Sequence, residues 1–170
     1  MEEQNVILKS NEKLLTKLTN YVTKNQEKLY RLVYHYCQDQ EASMDILQEA
    51  ITKAITKLYT LHQEQYLETW FYRILINESI RYTQKHKKEK QFSIENYEIE
   101  AIDEDITESI VLYEKIEELT PKERTVIFLR FFEERKLEEI ALITKTNINT
   151  VKSRLYQALA KLKMKLGGNR

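Results

Sequence analysis

Towards the end of the chain, Asn149, Lys152, Ser153 and Tyr156 recur three and four residues apart, the spacing of one helical face. Thr150, Arg154 and Gln157 flank them. Asn, Gln, Lys and Ser side chains hydrogen-bond to base edges, and Arg and Lys also hold phosphates. Residues 140–170 contain seven basic residues and no acidic one. Phosphate attraction is local, screened within about 8–10 Å, so this excess counts for more than the formal net charge of zero. The bland alternative for the same residues is a solvated basic face on an ordinary three-helix bundle.

Two further constellations stand out. Asp45, Gln48, Glu49 and Thr52 share one helical face, opposite an apolar stripe of Ile46, Leu47, Ala50, Ile51, Ala54, Ile55 and Leu58. Residues 66–90 start aromatic, with Tyr66, Trp70, Phe71 and Tyr72, and end basic, with Lys85, His86, Lys87, Lys88 and Lys90. Catalytic chemistry finds no support. One cysteine, Cys37, excludes an internal disulfide and a cysteine-rich zinc site, and the three histidines (His35, His62, His86) lack ligand spacing. A phosphate-cradling loop needs glycine, and the two glycines, Gly167 and Gly168, both stand at the C-terminus. The expectation is therefore no enzyme, no metal, no cofactor and no small-molecule substrate.

The elements that must position these residues read as all-α. Glycine and proline are too scarce for the turns of a sheet protein, and runs of Leu, Ile, Lys, Glu and Gln favour helix. Helices are expected over about residues 12–36, across the apolar stripe of residues 46–58, and over about 66–90. The first buries Leu29, Leu32, Val33 and Tyr36. Residues 93–110 hold seven acidic and no basic residues and read as a linker. A short helix over about 110–119 leads into Thr120-Pro121-Lys122-Glu123, a capping box with proline at the first helical position. The helix it starts runs to about residue 132 and buries Val126, Ile127 and Phe131. Another covers about 137–143.

After Thr144-Lys145-Thr146 comes Asn147, a good N-cap, and a helix over about 148–166 with Ile148, Val151, Leu155, Leu159 and Leu162 inward. Two helices joined by so short a turn, the second with polar and basic residues outward at its start, make a helix-turn-helix. The division expected is a helical domain over residues 1–92, an acidic linker over 93–109 and a helix-turn-helix domain over 110–170. No apolar run approaches the roughly 20 residues that span a bilayer, and the first residues show no signal-peptide pattern, so a reducing cytoplasm is the expected compartment.

At this point the sequence resembles the extracytoplasmic-function group of bacterial RNA polymerase sigma factors. LTPKERTVIFLRFFEERKLEEIALITKTNINTVKSRL follows the pattern of their C-terminal domain, with Thr150-Val151-Lys152-Ser153-Arg154 as its hallmark. LYRLVYHYCQDQEASMDILQEAITKA is similar to their polymerase-binding helices, and TWFYRILIN to the segment that meets the −10 promoter element. The resemblance implies a fold of two helical domains, the second of the winged-helix-like sigma region 4 type, and a function in promoter-specific transcription initiation, in response to stress. It implies that Asp45, Gln48, Glu49 and Thr52 dock on the coiled coil of the large polymerase subunit. It implies a −10 surface of Tyr59, His62, Tyr66, Trp70, Tyr72, Arg73, Asn77, Lys85 and Lys87, where exposed rings would stack on unpaired bases for about 1–3 kcal/mol each. For Trp70 and Phe71 a place in the core is the competing reading. It places Asn147, Asn149, Thr150, Lys152, Ser153, Arg154, Tyr156 and Gln157 at the −35 element. It also implies an anti-sigma factor as regulator, often membrane-anchored, which would hold the protein at the membrane.

The chain departs from the family pattern twice. Glu134-Arg135-Lys136 replaces Gly-Leu-Ser before the penultimate helix, and Lys145-Thr146 replaces Gly-Ile in the turn. A lysine left-handed at that turn would cost about 1 kcal/mol. Two rival readings remain: a dimeric helix-turn-helix repressor or activator that binds its operator without polymerase, and an adaptor that binds polymerase but not DNA.

Overall fold

The computed structural model describes the backbone of residues 2–90 and 104–167, and side-chain surroundings for residues 10–86 and 111–167. Every regular element among the described residues is helical. The chain divides into two compact units, Met1–His86 and Lys87–Arg170.

The first unit opens with α1 (Glu2–Lys24) and α2 (Gln26–Cys37), where one continuous helix was expected. Asn25 separates them: its backbone leaves the helical range (φ −109°, ψ 13°), and its side-chain amide shares the Tyr21 carbonyl with its own backbone N–H, at 2.8 and 3.1 Å. α2 ends at Gln38, which adopts a left-handed conformation (φ 53°), and Asp39 then caps α3 (Gln40–Thr56) by accepting from Ala42 N at 2.7 Å. α2 packs on α3. The buried face is Leu29, Leu32, Val33 and Tyr36 against Ile46, Leu47, Ala50 and Ala54; Ile55, expected in the stripe, is exposed at its edge. Two 3₁₀ turns, Leu58–Thr60 and Glu64–Tyr66, lead into α4 (Leu67–Lys90).

The second unit comprises α5 (Glu104–Glu117), α6 (Pro121–Ile127), a π-helical turn (Phe128–Phe132), α7 (Leu137–Thr144) and α8 (Ile148–Gly167). α5 begins at Glu104, inside the stretch expected to be linker; residues 93–103 of that stretch lie outside the described residues. The capping box at Thr120 forms in both directions, with Glu123 N donating to Thr120 Oγ1 at 3.3 Å and Thr120 N to Glu123 Oε2 at 3.0 Å. The π turn adds a residue to its helical turn and so changes which side chains face inward. Phe128 and Phe132 meet edge to face at 5.5 Å, whereas Phe131, expected in the core, is turned to solvent. α8 packs against α5, α6 and α7. Its buried stripe is Val151, Leu155, Ala158 and Leu162; Leu159 lies at the margin because Ala158 takes the inward position.

Candidate nucleic-acid and polymerase interface

The turn between α7 and α8 is built from backbone bonds. Thr146 N donates to Ala141 O at 3.0 Å and Lys145 N to Leu142 O at 3.4 Å, the paired bonds of a Schellman ending. That ending needs a left-handed residue, and Lys145 supplies it at φ 52°, ψ 43°. Glu134 does the same (φ 52°) after the π turn, where Arg135 N reaches Leu129 O at 2.8 Å. Both family glycines are thus replaced by residues that adopt the glycine-like conformation. Lys136, in place of the serine cap, has no acceptor; only the return half of a capping box survives, Lys136 N donating to Glu139 Oε2 at 2.8 Å. That bond is the main reason the Glu139 carboxyl is held below its ordinary range; burial opposes it, and Arg135 adds to it.

Asn147 caps α8, its Oδ1 accepting from Thr150 N at 2.8 Å and from Thr150 Oγ1 at 3.1 Å. Asn147 and Thr150 are therefore engaged in starting the helix. Asn149, Lys152, Ser153, Tyr156 and Gln157 are exposed, with Thr150 and Arg154 half-buried beside them. These side chains project from the first turns of α8 while Val151 and Leu155 fix the opposite side in the core. A rigid helix thus presents amide, ammonium, hydroxyl and guanidinium groups together, the set that reads a major groove.

In the first unit, Asp45, Gln48, Glu49 and Thr52 are all exposed on α3. Asp45 and Glu49 border a shallow groove of about 320 Å³ whose other lining includes Glu78, Arg81, Lys85 and His86 of α4. The acidic face of α3 and the basic end of α4 therefore meet along one groove. Lys53 of α3 links the two helices, reaching Glu78 of α4 at 2.6 Å and Glu49 of its own helix at 3.5 Å. The side chain of Lys87 lies outside the described residues.

Around the loop after α3, Tyr59, His62, Tyr66 and Asn77 are exposed, Tyr59 at 73%. Trp70 and Tyr72 are not: both are buried, at 8% and 0%, and present no ring face to a base. Trp70 Nε1 donates to Thr60 Oγ1 at 3.0 Å, so the indole closes the loop from inside. Large rings with a satisfiable polar handle have more to gain from burial than from exposure. Arg73 is half-buried; desolvation lowers its pKa, though a guanidinium stays charged. The sequence reading missed Thr60, Lys53 and Glu64. Glu64 had a faint signal in Lys13 and Lys17, two like charges one turn apart that repel unless an acid meets them.

Comparisons with known proteins identify the family. The Sigma-70 region 2 family model matches residues 21–89, and that of Sigma-70, region 4, matches residues 109–162. RNA polymerase sigma factor SigV of Bacillus subtilis is 39% identical over 150 residues, covering 88% of this chain and 90% of that protein. ECF RNA polymerase sigma factor SigW of the same organism is 29% identical, covering 83% and 84%. The fold is similar to that of sigma factor RpoE in its complex with NepR from Bartonella quintana (TM-score 0.64, 22% identity, 91% of this chain and 99% of that one). It is also similar to CnrH in complex with the cytosolic domain of CnrY (TM-score 0.70, 15% identity, 94% and 96%). With a relative this similar along nearly its whole length, and both sigma-region families matched in order, the chain belongs to the RNA polymerase sigma factors, in their extracytoplasmic-function group, and directs transcription initiation without catalytic chemistry of its own.

Proposed function

We propose that the two units divide the work of a sigma factor. Residues 1–92 bind core polymerase through Asp45, Gln48, Glu49 and Thr52 on α3. They engage the −10 element through the loop at residues 59–67 with Arg73, Asn77, Lys85 and Lys87. Residues 110–170 read the −35 element with the outward face of α8, and residues 93–109 tether the two. The observation that carries this reading is the face of Asn149, Lys152, Ser153 and Tyr156, exposed together on a helix capped at its start and packed along its back.

A regulator of the anti-sigma class is the further partner, since the resemblance implies one and both structural neighbours are in complex with one in the case of NepR, or with a cytosolic domain in the case of CnrY. Among the described residues no helix is long and apolar enough to cross a membrane. The protein itself acts in the cytoplasm, in response to stress, and any hold at the membrane comes from the regulator.

The test is reconstitution with core polymerase on a promoter library. Lys152→Ala and Asn149→Ala should each cost about 1–3 kcal/mol per lost base contact and relax preference at one −35 position. Core binding should be unchanged. A holoenzyme that initiates nowhere above core alone would overturn the reading, and unchanged −35 preference in both variants would remove these residues from the site.

A further inference from the structure

The loop between α3 and α4 is tied down at both ends by apolar side chains, Leu61 at 7% exposure and Leu67 at 9%. Between them His62, Gln63, Gln65 and Tyr66 are exposed. Gln65 Nε2 donates to Gln63 Oε1 at 3.0 Å, a bond inside the loop that does not fix it to the rest of the unit. Glu64 is held from outside. Lys13 Nζ lies 3.5 Å from its Oε2, and Lys17 Nζ is ion-paired with its Oε1. These partners come from α1, 51 and 47 positions earlier in the chain. α1 is itself fixed: Leu18 is 1% exposed, Tyr21 sets its ring edge-on to Phe71 at 6.1 Å, and α1 packs against the turn Leu58–Thr60. Lys13 and Lys17 both precede residue 21, where the region 2 family match begins.

Two lysines one turn apart repel, and a single carboxylate between them offsets that repulsion while drawing the loop to the helix. Exposed ion pairs add little to global stability. Leu61 and Leu67 already anchor the ends of the segment, so the few residues between them need little more to keep one arrangement. We propose that Lys13 and Lys17 are positioning residues: by holding Glu64 they fix residues 62–66 in the arrangement that presents His62 and Tyr66 beside Tyr59. This rests on the reading of that loop as the −10 surface, and it makes the first helix a part of promoter selectivity.

The experiment uses full-length protein in reconstituted holoenzyme, at concentrations matched for core occupancy. It measures the ratio of open-complex formation on the best promoter to that on variants carrying single −10 substitutions. General loss of stability lowers both and leaves the ratio alone; a displaced loop lowers the ratio. Lys13→Glu with Lys17→Glu should reduce it about three- to fivefold, the scale two exposed ion pairs can supply. Adding Glu64→Lys to that pair should restore it to within about twofold, since the swapped charges re-form the contact. An unchanged ratio in the double variant, or a loss that the swap does not restore, overturns the proposal. Tyr59→Ala and His62→Ala separate the two levels. If they lower discrimination while the lysine reversal does not, the clamp alone is wrong; if they too leave it unchanged, the loop is not the −10 surface.

Discussion

Glu123 and Lys161 stand 38 residues apart in the chain, yet Lys161 Nζ reaches both carboxylate oxygens of Glu123, at 2.7 and 3.0 Å. The same carboxylate closes the capping box on Thr120 N, so one side chain both starts α6 and ties it to α8. Glu123 is 4% exposed. α8 is thus held to its scaffold by a group that also serves as a cap.

Glu123→Ala should therefore destabilise the second unit by about 1–3 kcal/mol, a lost cap bond together with lost charged hydrogen bonds. Lys161→Ala should cost less, because Lys161 is largely solvated and Glu123 keeps its bonds to Thr120. Urea unfolding of the full-length protein checks both. The pH dependence follows from the shift. Burial pushes the Glu123 carboxyl up, but hydrogen bonds from Lys161 and Thr120 outweigh it and hold the pKa below its ordinary value of 4.5. The stabilisation is then present above that value and lost as pH falls through the folded pKa. Glu123→Gln should flatten this acid limb.

His35 predicts a different pH window for the first unit. Burial, aided by the nearby Arg31 charge, lowers its pKa from 6.5 to about 4. The folded state favours neutral imidazole, so stability is complete above 6.5 and falls as pH drops from 6.5 towards 4. Thermal melts between pH 7 and 4.5 should show this decline, and His35→Gln should weaken it. An equal decline in the variant would assign it to other groups.

Lys145 and Glu134 hold left-handed backbone conformations that disfavour any side chain. Lys145→Gly and Glu134→Gly should each stabilise the second unit by about 0.5–1 kcal/mol, the steric relief being partly offset by the greater freedom of glycine in the unfolded chain. Neither change removes an outward residue of α8, so promoter preference should stay as it is. A fall in Tm for both variants would contradict the backbone argument.

Aromatic residues around the loop should separate into two classes. Tyr72→Ala, at a fully buried ring, should cost about 3–5 kcal/mol of stability and lower use of every promoter alike. Tyr59→Ala, at an exposed ring, should leave the stability within about 0.5 kcal/mol of wild type and reduce open-complex formation selectively. Comparing melting with initiation for the same two variants settles which ring meets DNA.

Sequence periodicity is a local property, and what depends on it was legible. The apolar stripes of α2 and α3, the capping box at Thr120, the cap at Asn147 and the outward set on α8 all follow from side chains within one or two helical turns of each other. Even the left-handed Lys145 is foreshadowed, because a turn this short between two helices needs one such residue. Tertiary structure decided the rest. Trp70 and Tyr72 share their stretch with the exposed Tyr66 and Asn77, and composition does not say which ring turns inward; both are buried in the folded unit, Trp70 with its indole bonded to Thr60 of the loop. A single extra residue in the π turn moved Phe131 from the expected core to solvent. Lys13 and Lys17 met Glu64, and Lys161 met Glu123, only because packed helices closed chain separations of dozens of residues. Backbone rules act over a few positions, whereas such pairings depend on where whole helices come to rest.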